Sequence, residues 1–196
     1  MILGVTGGIA SGKSTVSAYL KSKGIPIVDA DAISKKVVGK NTKGAKMLEK
    51  EFGSMFFTDG RLERTRLARY CFATKERTEK LNAIMHPLIL DEMDKQTEFY
   101  RSQGAKIIIL DAPLLIESGL TKKCDKVVVV TCSQRTRVQR AIKRSNISKL
   151  EVMRRMERQL PDEERKRYAD FVIDNSGTLE KTLAQADKII EELTNG

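Results

Sequence analysis

The chain of 196 residues is long enough to bury a full core, and its 40% hydrophobic and 32% charged content is that of an ordinary globular protein, which excludes disorder. The longest apolar runs, "IIIL" and "VVVV", fall far short of the roughly 20 residues a membrane span needs, so no transmembrane helix is expected. A net charge of +10 suits anionic partners, either nucleic acid or phosphorylated small molecules, or else serves solubility alone.

In chain order, the first signal is the apolar run "ILGVT" (2–6), a continuous strand of the kind buried on both faces of a parallel sheet. No basic residue precedes it, so no cleavable leader is expected and the cytoplasm is the expected compartment. Directly after the strand, Gly7 to Ser14 read GGIASGKS and satisfy G-x-x-x-x-G-K-[ST] in full, just before a helix expected over 13–22. Gly8 and Gly12 let the backbone turn and direct successive N–H groups, through Ala10 and Ser11, at phosphate oxygens. The helix adds its positive end, Lys13 reaches the β- and γ-phosphates, the Ser14 hydroxyl ligates Mg²⁺, and Thr15 lies within reach of the α-phosphate. ATP and Mg²⁺ are thus the cofactors expected.

A second strand, "IPIVD" (25–29), is followed by Asp31 at the carboxyl edge of the sheet, where parallel α/β proteins hold ligands. Asp31 is either a catalytic carboxylate or the N-cap of a helix at 32–38, and Asp29 either assists a metal or caps the turn. The third strand comes only after the 74 residues from 32 to 105, too many for a simple crossover. They read as a mainly helical insertion interrupted by a "TDGR" turn at 58–61. Within it, Pro87 is expected to open a new helix at its first position, with His86 at that helix's entrance.

Strands follow at "KIIILD" (106–111), "KVVVVT" (126–131) and "DFVID" (170–174), with helices expected at 133–145, 148–159, 162–168 and 178–194. "SKLE" at 148–151 is a capping box. Between residues 133 and 168, twelve Lys and Arg face five Asp and Glu. Arg137, Arg140 and Arg144 share one helix face, suited either to an anion or to solvent. Cys71, Cys124 and Cys132, with no CxxC spacing and one histidine in the chain, are expected as reduced structural thiols. No guanine-reading NKxD occurs, which disfavours a regulatory GTPase. A long insertion and an arginine-rich segment instead fit a kinase of small metabolites.

Seven segments in order, "TGGIASGKSTV", "VDADAISKKVV", "MHPLI", "DAPLLIE", "RTRVQRAIKR", "RRMERQLP" and "ADFVIDNSG", together resemble the dephospho-CoA kinase family over nearly the whole chain. The resemblance implies ATP-dependent phosphorylation of the ribose 3′-hydroxyl of dephospho-CoA, with another nucleoside or metabolite kinase as the alternative and nucleic acid disfavoured as partner. It implies an α/β P-loop kinase core with a five-stranded parallel sheet (1–31, 106–132 and 168–196), a helical acceptor-binding insertion (32–105) and a helical lid (133–167). Asp31 resembles the residue that orients and deprotonates the acceptor hydroxyl. His86, Asp111, Pro113, Leu114, Leu115 and Glu117 resemble acceptor-side positions, Arg144 a lid arginine that approaches ATP, and Asn175 an adenine-side residue.

Overall fold

A computed structural model describes residues 1–157 and 159–195. The chain opens with β1 (Ile2–Gly7), α1 (Lys13–Ser22) and β2 (Ile27–Asp29). Next come α2 (Ala30–Lys36), α3 (Lys43–Phe52), β3 (Phe57–Thr58), β4 (Arg61–Leu62), α4 (Arg64–Cys71) and α5 (Lys75–Ser102). The remainder holds β5 (Ile108–Asp111), β6 (Lys126–Thr131), α6 (Gln134–Ser145), α7 (Lys149–Glu157), α8 (Asp162–Lys166), β7 (Phe171–Asp174) and α9 (Leu179–Asn195). Two compact units result: Met1–Ile27 with the chain from Gln103 onward, and Val28–Ser102. No helix among the described residues is long and apolar enough to cross a membrane.

The five-stranded sheet has the order β2-β5-β1-β6-β7. β1 pairs in parallel with β5 on one side and β6 on the other, and β6 pairs in parallel with β7. The Ile109 N–H donates to the Pro26 carbonyl at the β2 edge (2.9 Å). The three inner strands are buried almost without a break, as their unbroken apolar runs require, whereas the edge strand β7 leaves Val172 exposed. Leu3 and Val5 pack with Val16 and Leu20 of α1 and with Ala186 and Ile189 of α9. Gly4 faces the other way, where a Cβ would meet Cys124 Sγ at 2.7 Å and Leu115 Cδ2 at 2.8 Å. Each such fully buried aliphatic side chain contributes about 1.5–3 kcal/mol. Burial next to Asp125 pushes the Cys124 thiol up to about 12, and burial raises that of Cys71, so both stay protonated.

The second unit is helical apart from the hairpin β3/β4, whose turn residues Asp59 (φ 52°) and Gly60 (φ 72°) both adopt the left-handed conformation of a type I′ turn. Val38, Leu48, Phe56, Leu67 and Cys71 form its core, with Leu81, Ile84 and Met85 of α5 packed against it. One expectation fails here: Pro87 starts no helix, because α5 runs unbroken through it for 28 residues. An interior proline removes the hydrogen bond to the carbonyl four residues earlier, here Ala83. Both Ala83 and Pro87 lie on the exposed side, so water can serve that carbonyl while the opposite side stays packed on α2, α3 and α4. His86 is consequently an exposed mid-helix residue rather than one at a helix entrance.

Candidate active site

From Gly7 the chain leaves the central strand and turns through Ala10 (φ 57°) and Gly12 (φ 100°) into α1. No side chain caps that helix and its first turn holds no acid, so its first N–H groups and positive end are open. A cavity of about 500 Å³ lies in front, bounded by Ala10, Gly12, Ser14 and Thr15. Its far wall brings Arg140, Lys143 and Arg144 of α6, and Asn175 and Leu179 complete it. Three cations and no carboxylate around a helix N-terminus make an anion site. Ser14, Thr15 and Arg144 have no side-chain hydrogen bond or ion pair among the described residues.

Other groups at the loop are already committed. Asn175 is buried, with its Nδ2 donating to the Ser11 carbonyl (2.7 Å) and its Oδ1 accepting from Thr182 Oγ1 (2.9 Å). A Cβ on Gly12 would overlap Asn175 Nδ2, so glycine is required there by contact as well as by φ. Asn175 therefore holds the loop through its side chain, and its place in the cavity wall is secondary to that. Arg140 donates to the Asn175 carbonyl (3.3 Å) and approaches Cys132 Sγ (3.5 Å). The buried Ser11 hydroxyl has no partner among the described residues. Lys13 is ion-paired with Asp111, the last residue of β5, which is itself buried.

Beyond β5, the Pro113 carbonyl accepts from Thr6 Oγ1 (3.2 Å), and Leu114 is 49% exposed. Leu115 is fully buried against Gly4, so it fixes the loop from inside and does not wall a pocket. Glu117 Oε1 accepts from the Leu160 N–H (3.2 Å) and from Arg165 Nη2 (3.4 Å). The basic region also divides. Ser148 Oγ accepts from the Glu151 N–H (3.1 Å), the first half of the capping box, but the Glu151 carboxylate pairs with Arg155 instead of closing it. Arg158, counted in the basic cluster, lies outside the described residues. Arg137 is buried and ion-paired with Asp162 (2.6 Å). Arg165 is wholly buried, and nothing in "DEERK" sets it apart from its charged neighbours.

In the unit Val28–Ser102, Asp29 is the N-cap of α2, accepting from the Ala32 N–H (2.9 Å). Asp31, in the first turn, is exposed, and its carboxylate has no partner among the described residues; only its backbone carbonyl is engaged, by Ser34 Oγ (2.8 Å). Lys36 at the end of α2 reaches Glu92 of α5 (2.7 Å), and Lys36 and Gln96 hold that carboxyl below its usual range.

A central parallel strand running through a glycine-rich turn into an uncapped helix, with its lysine at the turn and arginines opposite, defines a P-loop kinase. The dephospho-CoA kinase family profile matches residues 1–181. A dephospho-CoA kinase of Listeria monocytogenes is 43% identical over 184 residues, covering 93% of this chain and 92% of the relative. A crystal structure from Thermus thermophilus superposes with a TM-score of 0.88 at 34% identity, covering 100% of this chain and 98% of that one. Dephospho-CoA kinase from Campylobacter jejuni superposes with a TM-score of 0.75 at 25% identity, again over 100% and 98%. The chain belongs to the dephospho-CoA kinase family, and it is a kinase.

Proposed function

We propose that this enzyme transfers the γ-phosphoryl group of ATP to the ribose 3′-hydroxyl of dephospho-CoA, giving CoA and ADP in the last step of coenzyme A synthesis. The observation that carries the reading is the open N-terminus of α1 in front of a cation-lined cavity, in a chain of this family. Backbone N–H groups of the loop from Gly8 to Ser14, other than the engaged ones of Ile9 and Ser11, hold the phosphates, with Ala10, Ser11 and Gly12 forming the turn and the Thr15 hydroxyl meeting the α-phosphate. Lys13 exchanges Asp111 for the β- and γ-phosphate oxygens. Arg144, a free guanidinium in the cavity wall, binds phosphate or stacks on adenine.

On the acceptor side, Asp31 accepts the proton of the 3′-hydroxyl as the new O–P bond forms and the bond from phosphorus to the β-phosphate oxygen breaks, ADP leaving with that electron pair. Its ordinary carboxylate basicity is enough, because in a loose transition state the proton leaves late. His86, Pro113 and Leu114 are acceptor-binding residues in this reading.

The donors present fit Mg²⁺: an exposed hydroxyl on Ser14 and the Asp111 carboxylate are hard oxygen ligands, and the triphosphate supplies the rest. When bound, Mg²⁺ neutralises charge on the β- and γ-phosphate oxygens. The enzyme works in the cytoplasm in this reading.

ADP release measured with dephospho-CoA, adenosine and a nucleoside monophosphate offered separately tests the assignment. Turnover with dephospho-CoA and background rates with the others are expected. Faster turnover with either of the others overturns it.

A further inference from the structure

The rear of the phosphate loop is as heavily built as its mouth is open. Both polar groups of Ile9 are occupied: its N–H donates to Gln159 Oε1 (2.8 Å) and its carbonyl accepts from Arg137 Nε (3.0 Å). Arg137 Nη1 continues to Asp162 Oδ2 (2.6 Å), Asp162 Oδ1 to Arg165 Nη1 (3.1 Å), and Arg165 Nη2 to Glu117 Oε1 (3.4 Å). Two guanidiniums and two carboxylates cancel in charge. A Cβ added to Gly8 would run into Arg137 Nη2, with Cζ at 2.7 Å and Arg165 Nη1 at 3.0 Å, so the loop backbone rests directly on both arginines.

Direct contact with nucleotide does not explain these side chains, because Arg137 is 5% exposed and Arg165 0%. Stability explains them poorly too. A buried ion-pair set is commonly no better than apolar residues of the same volume, and Arg165 Nε has no partner among the described residues. What the set does specify is the position of one peptide. We propose that Arg137 and Arg165 are positioning residues for phosphoryl transfer: they fix the Gly8–Ile9 backbone, with Gln159, and through it aim the N–H groups that the loop presents to the triphosphate. The expected acceptor contact of Glu117 is thereby replaced by a role in holding Arg165. The inference rests on the loop binding ATP as proposed above.

The test is allele-specific suppression, read first as binding of a non-hydrolysable ATP analogue without acceptor, then as kcat/KM for ATP. Gly8→Ala puts a methyl group against the pinned Arg137 guanidinium, and displacement of the loop by about 1 Å should lower kcat/KM for ATP about 10²-fold and weaken analogue binding. Arg137→Ala removes the obstacle, so the double variant should recover at least about tenfold of that loss, as contacting residues couple non-additively. Losses that simply multiply, or a Gly8→Ala enzyme equal to wild type, overturn the proposal.

Should Gly8→Ala fail to fold, Arg165→Lys decides. It keeps the charge but cannot span Asp162 and Glu117 together, and should lower kcat/KM for ATP about tenfold while the unfolding temperature stays within a few degrees. Unchanged ATP parameters would count against positioning. A wild-type protein that binds the analogue yet ignores dephospho-CoA would refute the acceptor assignment while leaving the brace testable.

Discussion

The two ends of the phosphate loop are opposites. At Ile9 both backbone polar groups are taken by side chains from far along the sequence, and at Gly8 there is no room for a single added carbon. Five residues later, Ser14 and Thr15 stand exposed at a cavity, with no side-chain partner among the described residues. The same contrast separates Asp29, spent on capping α2, from Asp31 two residues on, whose carboxylate has no partner among the described residues. In the proposed reading, the side chains that hold Ile9 and cap α2 fix position, and the exposed unpaired groups at the cavity serve the ligand. Burying a donor without a partner is expensive, so a free donor at an open cavity is where a ligand's oxygens belong.

The largest effect should come from a free group. Asp31→Asn removes the base while leaving the helix cap to Asp29, so kcat should fall about 10²–10⁴-fold with ATP affinity unchanged. A rate within a few-fold of wild type would remove Asp31 from the chemistry and break the contrast on the acceptor side. Lys13→Ala should lower kcat by about 10²–10³-fold, the range for losing one preorganised charge donor. Rapid-quench measurement with ATP distinguishes that loss from weaker binding.

A committed group should behave differently. Asn175→Ala takes the side-chain donor from the Ser11 carbonyl and leaves the Thr182 hydroxyl only the Thr178 carbonyl, costing about 1–3 kcal/mol. At roughly 2–4 °C per kcal/mol in a chain of this size, thermal unfolding should register it. An Asn175→Ala enzyme of normal stability but poor ATP binding would show that the residue serves adenine after all.

The smallest effect is expected at Glu92. Its folded pKa is lowered by Lys36, so the bridge stabilises above the ordinary carboxylate value near 4.5 and is lost as pH falls through the lowered value. Lys36 is mostly exposed, so Glu92→Gln should cost no more than about 1 kcal/mol at neutral pH, and the difference from wild type should vanish in acid.

How much of this was legible in the sequence follows from how local each signal is. The loop motif, the continuous strands and the "TDGR" hairpin depend on neighbours a few residues apart, and each stands where its pattern put it. Pro87 misled because the local rule for proline counts a lost hydrogen bond but not whether the freed carbonyl faces water or how firmly the other helix face is packed. The brace was invisible for a different reason. Gln159 lies 150 residues from Ile9, and Arg137 lies 128 residues away. No spacing rule connects them, and a buried arginine looks like any other in a segment so rich in exposed ones. Glu117 and Leu115 resemble acceptor-side positions by their motif, but the motif says nothing of the partners they have here, which come from α8 and β1.

The most direct check on the central claim is the identity of the phosphorylated product. Incubation with ATP, Mg²⁺ and dephospho-CoA, followed by mass spectrometry and ³¹P NMR, should give one new phosphomonoester on the ribose 3′-oxygen for each ADP formed. ADP released without a phosphorylated acceptor, or a phosphate found at any other position, would contradict it.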